Sequence, residues 1–175
     1  HDGPKNGIVK LMVNPEKPKA VDGVIKALEK ADIIVLGPGS LYTSIIPNLL
    51  VDGVVDAIKK SNAVKIYVCN IMSQAGETEN YTVSDHLAAI ERHSYEGIAD
   101  IVIANNAIIP ESLRIKYASE HAREVMIDSI NVLKRAKLVQ GNLLLVRNDK
   151  IRHNFSRLAR TIMRLGSDVN YFENK

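Results

Sequence analysis

No tryptophan and a single cysteine, Cys69, occur in this 175-residue sequence, and aromatic residues make up only 5% of it. One thiol cannot close an internal disulfide, which fits a reducing compartment, so a cytoplasmic location is expected. Scarce aromatics leave no platform for stacking bases. An excess of one charge is also lacking, since 23 Lys and Arg against 20 Asp and Glu leave a net +3. That is too little for a dedicated nucleic-acid binder, whose basic residues cluster. No apolar run approaches the about 18 residues of a membrane-spanning helix, and no charged-then-apolar leader opens the sequence. Neither nucleic acid nor membrane is therefore expected as a partner.

What is present is globular in kind. Apolar residues make up 46% and charged residues 25% of the chain, enough to build a core. Residues 1–175 read as one α/β domain or as a lobe of a larger one. The opening His1-Asp2-Gly3-Pro4-Lys5-Asn6-Gly7 is made of turn formers and has no initiating Met, so a piece of a longer protein is expected.

Short apolar runs alternate with longer helical stretches. Ile8–Val13 alternates in part and stops at Asn14-Pro15, as a strand would. Between Pro18 and Lys30, apolar residues three and four apart predict an amphipathic helix. Ile33–Leu36 is a continuous apolar run of the kind buried on both faces of a parallel sheet. Further helices are expected at Val51–Lys60 and Ser84–His93, and further strands at Val64–Cys69 and Asp100–Ala104. Thr82-Val83-Ser84-Asp85 opens its helix as a capping sequence. The series predicts a parallel βαβ sheet. After Pro110 come a short helix, two strands in Leu138–Val146 turned at Gly141-Asn142 as an antiparallel edge, and a basic amphipathic helix over His153–Leu165.

Ligands of open α/β sheets bind beyond the carboxyl ends of the strands. Three loops lie there: Gly37–Asn48, Asn70–Tyr81 and Asn105–Pro110. In the first, Gly37 and Gly39 admit close backbone approach, and Ser40, Thr43 and Ser44 supply hydroxyls suited to phosphate oxygens. The spacing is neither a P-loop nor the dinucleotide fingerprint. Cys69 has no partner His in sequence and reads as a small buried hydrophobe. His86 and His93, seven residues apart, lack a second metal-ligand motif and read as surface or helix-packing residues. No catalytic triad or paired-carboxylate motif stands out, and neither a catalytic residue nor a metal ligand is assigned. Tyr117 could meet a base and Arg152 a phosphate, each against the plainer readings of packing and of a solvated basic face.

Gly37-Pro38-Gly39-Ser40-Leu41-Tyr42-Thr43-Ser44-Ile45-Ile46-Pro47-Asn48-Leu49-Leu50 and Tyr67-Val68-Cys69-Asn70-Ile71-Met72-Ser73-Gln74-Ala75-Gly76-Glu77-Thr78, followed by Ser84-Asp85-His86, resemble the signatures of the bacterial gluconeogenesis factor family. This family is related to the archaeal and actinobacterial 2-phospho-L-lactate transferases. The resemblance implies a Rossmann-like, mostly parallel sheet with flanking helices, closed here by the C-terminal β-hairpin and helix. It also implies a nucleotide-type small-molecule ligand, such as UDP-N-acetylglucosamine, and links to gluconeogenic growth, cell shape and cell-wall synthesis. The transferase relatives instead imply transfer of a phospholactyl group from a GDP-linked donor to a deazaflavin, with Mg²⁺. Carried over by motif, Gly37, Gly39, Ser40, Tyr42 and Thr43 belong to a phosphate and sugar site with Asn70 beside it, while Tyr117 and Arg152 meet the nucleotide and diphosphate. Where the family reads Thr-Gln-Pro after Met, Ser73-Gln74-Ala75 stands here and keeps the hydroxyl. The family's amino-terminal glycine-rich loop and acidic residues are not in this sequence, so residues from outside it are expected to complete the pocket. A homo-oligomer is also compatible, with Leu138–Val146 as the candidate interface.

Overall fold

The computed structural model of the protein describes residues 8–173. The turn-rich opening at 1–7 lies outside them. Four parallel strands, β1 (Ile33–Leu36), β2 (Val64–Val68), β3 (Ile101–Asn105) and β4 (Lys137–Gly141), form one sheet in the order β1-β2-β3-β4. Register runs Ile34 to Lys65, Tyr67 to Val102 and Ile103 to Val139. Spatial order follows chain order, so every crossover steps the same way and the connecting helices share one face. They are α3 (Val54–Lys60), α4 (Val83–Arg92) and α6 (Ser129–Leu133).

Alternation along the strands divides the core in two. Ile34, Leu36, Tyr67, Val102 and Ala104 pack with Val54, Ile58, Leu87, Ile90 and Val132 on that helical face. Val64, Ile66, Val68, Ile101 and Ile103 point the other way, onto Leu158 and Leu165 of α7 (Phe155–Glu173) and onto Leu143. β2, apolar but for Lys65, and β3 thus have a cover on each side, whereas Ile33–Leu36, expected to be buried on both faces, is the edge strand β1 with Val35 exposed.

Several elements differ from expectation. Ile8–Val13 is not a strand: the Ile8 carbonyl accepts from Tyr42 Oη at 3.0 Å and the Leu11 N–H donates to His93 Nε2 at 3.0 Å. Side chains, not a neighbouring strand, take these two backbone groups, and Val9 and Met12 remain exposed. The first helix is only α1 (Val24–Lys30), because Gly23 precedes it at φ +88°, a conformation that cannot continue a right-handed helix. The hairpin also shifts. Leu138–Gly141 extends the sheet as β4, parallel to β3, instead of turning back at Gly141-Asn142. Asn105 Oδ1 accepts the Leu143 N–H at 3.0 Å and draws the chain off the sheet there. The antiparallel pair is β5 (Leu144–Arg147) with β6 (Lys150–His153), a separate two-stranded sheet. Its two-residue turn, Asn148-Asp149, has φ of +50° and +51°, the signature of a type I′ turn.

α4 is fixed by the expected capping box: Asp85 Oδ2 accepts the Thr82 N–H at 2.9 Å, and Thr82 Oγ1 accepts the Asp85 N–H at 3.3 Å. Both helix histidines serve packing, each Nδ1 lying 2.8 Å from the carbonyl four residues back. A carbonyl only accepts, so both protons sit on Nδ1. His86 is fully buried, its ring edge-on to Tyr81, and its Nε2 has no partner among the described residues. Burial lowers its pKa below the ordinary 6.5, with the Thr82 carbonyl and Asp85 opposing. The unfolded chain therefore takes a proton first as pH falls past about 6.5, and stability declines with acidification through that window. Urea midpoints at pH 7.5, 6.5 and 5.5 should fall less steeply for His86→Phe than for wild type. Identical slopes would place the acid sensitivity elsewhere.

Candidate functional site

The loops after β1 and β2 meet β6 and α5 (Glu111–Ser119) around a cleft of about 420 Å³. Pro38, Gly39 and Ser40 form one wall, Asn70–Gln74 another, and Tyr117 with Ile151, Arg152 and His153 closes it. This is the position the strand-end rule selects. A small cluster of Ile71, Ile109, Leu113 and Ile151, with Met72, Tyr117 and Leu144 against it, joins the second loop to α5 and the hairpin.

Each wall is fixed by the local fold. A π-helical turn, Leu41–Ile45, runs into α2 (Ile46–Leu49), with the Ile45 N–H donating to the Ser40 carbonyl at 3.0 Å. That turn buries Leu41, Tyr42 and Ile45 and leaves Ser40 at the cleft. Gly37, at φ +86°, redirects the chain where an added Cβ would lie 3.0 Å from the Val68 carbonyl oxygen. In the second loop, the Ser73 hydroxyl accepts the Arg123 N–H at 2.9 Å and the Ser73 N–H donates to the Arg123 carbonyl at 2.7 Å. Thr78 Oγ1 accepts the Gln74 N–H at 2.9 Å. Ser73 is thus tied to Arg123 while its hydroxyl keeps a proton to donate.

Of the eight residues singled out by sequence, Gly39, Ser40, Asn70, Tyr117 and Arg152 line this cleft together. Gly37 borders a separate apolar cavity over β1. Tyr42 lies in the core, donating to Ile8 and paired with Tyr81 Oη at 3.1 Å, and burial foremost raises its phenol well above the ordinary value. Thr43 is exposed outside the cleft lining. The third expected loop, Asn105–Pro110, contributes nothing to that lining; Asn105 is a buried tether.

Gln74 and His153 are among the lining residues that the sequence reading did not assign to the site. Gln74 carries a buried side-chain oxygen with no partner among the described residues. Its only sequence signal was its place beside Ser73. His153 Nε2 lies 3.2 Å from the Cys69 carbonyl, which places a proton on that nitrogen, and burial lowers its pKa below 6.5. Its signal was adjacency to Arg152.

Electrostatically the lining is mild. It contains no carboxylate, and no carboxylate among the described residues pairs with Arg152, whose one hydrogen bond is a 3.5 Å contact to the Ile151 carbonyl. Cys69 beneath the cleft is buried and its thiol is pushed up to about 12, chiefly by burial, so it is no nucleophile at neutral pH. The Tyr117 hydroxyl accepts the Ile151 N–H at 3.0 Å and keeps its own proton to donate. Tyr117→Phe removes that acceptor and should cost about 1 kcal/mol in urea unfolding, and an unchanged midpoint would show the bond to be dispensable.

A parallel sheet with flanking helices on one face, and a polar, cation-bearing cleft at its carboxyl edge, defines a Rossmann-like α/β protein. The pattern described as "2-phospho-L-lactate transferase CofD" matches residues 1–158, and the chain belongs to that family. It is 42% identical over 164 residues to the gluconeogenesis factor of Halalkalibacterium halodurans, covering 91% of this chain and 51% of that protein. It is 38% identical over 160 residues to the gluconeogenesis factor of Bacillus subtilis, covering 90% and 50%. A crystal structure of a Bacillus halodurans protein superposes with a TM-score of 0.87 at 40% identity, covering 90% of this chain and 51% of that one. The chain therefore spans about half the length of these relatives. Among the described residues, no helix is long and apolar enough to cross a membrane.

Proposed function

We propose that the cleft binds a nucleotide sugar of the UDP-N-acetylglucosamine type, and that binding is the protein's function as a regulator linking gluconeogenic growth to cell shape and cell-wall synthesis. The observation that carries this reading is Arg152: a guanidinium without a carboxylate partner among the described residues, facing a cleft otherwise lined by neutral groups. A guanidinium in such a place suits a diphosphate, which it can hold by two parallel N–H bonds. Tyr117, Asn70 and Gln74 supply neutral hydrogen-bonding groups for the base and sugar. The names of the Halalkalibacterium and Bacillus relatives support the gluconeogenic part of the proposal.

The second reading is a transferase acting on a GDP-linked donor with a deazaflavin acceptor, which the family match favours. The Mg²⁺ implied there does not fit the residues at hand. The lining lacks a carboxylate, and the described residues contain no group of three His, Cys, Asp or Glu side chains able to hold a metal. Calorimetric titration of the intact protein with UDP-N-acetylglucosamine, beside GDP with Mg²⁺, separates the two. Selective binding of the UDP-sugar is the expected result. Preference for GDP with Mg²⁺, followed by GMP release from a phospholactyl donor, would replace regulation by transfer.

A further inference from the structure

Ser40 was expected to donate to a phosphate, yet its proton is committed elsewhere. Ser40 Oγ donates to Glu77 Oε2 at 2.9 Å, and Glu77 is half-buried behind the wall that Ser40 lines. A serine hydroxyl has one proton and two lone pairs. With the proton held by a carboxylate, the oxygen offers only lone pairs to the cleft. No Lys or Arg among the described residues forms an ion pair with Glu77, so its charge is not locally cancelled. A phosphate placed at Ser40 would meet an acceptor backed by a negative charge, whereas a hydroxyl or amide N–H would meet a polarised acceptor.

Resting on the nucleotide-sugar reading, we infer that the Ser40–Glu77 pair selects the neutral, hydrogen-bond-donating sugar of the ligand and directs the diphosphate to Arg152. Glu77 is then a positioning residue that acts through Ser40: it fixes the hydroxyl's polarity without lining the cleft. The pair is what would distinguish a nucleotide sugar from the bare nucleoside diphosphate.

The test uses the intact protein and two probes, UDP-N-acetylglucosamine and UDP, titrated with and without Mg²⁺. In Glu77→Gln the amide can donate to Ser40 and free its proton toward the cleft, reversing the polarity. The expected result is about a tenfold loss of affinity for the UDP-sugar, with UDP bound within twofold of wild type or more tightly. Ser40→Ala, which removes the acceptor and leaves the backbone alone, should show the same selective loss, and Glu77→Asp should recover part of the discrimination. A structural role would weaken both ligands alike, and that outcome overturns the inference while leaving the nucleotide site standing. So would wild-type protein that binds UDP as well as the UDP-sugar, or that binds the UDP-sugar only with Mg²⁺. Binding of neither probe by wild type would remove the nucleotide reading itself, and this inference with it.

Discussion

Arg152→Ala is expected to bind a UDP-sugar about 100-fold more weakly than the wild-type protein while unfolding at the same urea concentration. Charge-assisted hydrogen bonds contribute about 1.5–3 kcal/mol each, and exposure of the side chain discounts the bidentate pair to about 2–3 kcal/mol in all. Stability should be spared because Arg152 is exposed and its side chain makes, among the described residues, only the 3.5 Å contact to the Ile151 carbonyl. Arg152→Lys keeps the charge and loses the fork, so it should fall between the two. Isothermal titration of all three proteins measures the effect. An Arg152→Ala affinity within threefold of wild type would move the diphosphate elsewhere and withdraw the main support for the proposed function.

The second large effect is on the fold. Gly37→Ala should lower stability by about 2–4 kcal/mol, from left-handed backbone strain in a residue with a side chain together with overpacking. At φ +86° the new methyl would stand 3.0 Å from the Val68 carbonyl oxygen and 3.1 Å from Ile45 Cδ1. The Val68 oxygen belongs to β2, a strand buried in the sheet, so it can give little. Ligand affinity should fall as well, because Gly37 aims the chain that presents Gly39 and Ser40 to the cleft. Equilibrium urea unfolding of the intact protein checks the first part. A change below about 0.5 kcal/mol would mean that the loop relaxes freely, and the rigid wall described above would be wrong.

The four-part β/α rhythm was legible because each strand is a short, mostly apolar run bounded by turn residues, although the burial on both faces expected of Ile33–Leu36 is found at β3 instead, β1 being an edge strand with Val35 exposed. The capping box before α4 was equally plain, since its residues interact within one turn. What misled were signals that depend on distant partners. Gly141-Asn142 has hairpin chemistry, but Asn105, 38 residues away from Leu143, decides where the chain leaves the sheet. Ile8–Val13 alternates like a strand, but Tyr42 and His93 take two of its backbone groups. For the site, the strand-end rule found two of the three cleft-lining segments it proposed. Tyr117 and Arg152 entered as isolated candidates, brought together by the Ile151 N–H bond to Tyr117 and the cluster beneath it. The direction of the Ser40 hydroxyl could not be read in advance, because Glu77 lies 37 positions away and carries no motif linking it to Ser40.

The division of the core between two covers has a consequence for how the chain acquires its structure. One cover is threaded between the strands and arrives with them; the other, α7, follows all four. Until residues 155–165 emerge from the ribosome, Ile66, Val68, Ile101 and Ile103 form an apolar surface without its final helix. Closing it joins segments nearly a hundred residues apart, from Ile66 to Leu158 and Leu165, so the last layer is a high-contact-order step set on an earlier, more local one. The interval between them is when this sheet is most exposed to misassociation, and a stop or frameshift before α7 would make that interval permanent.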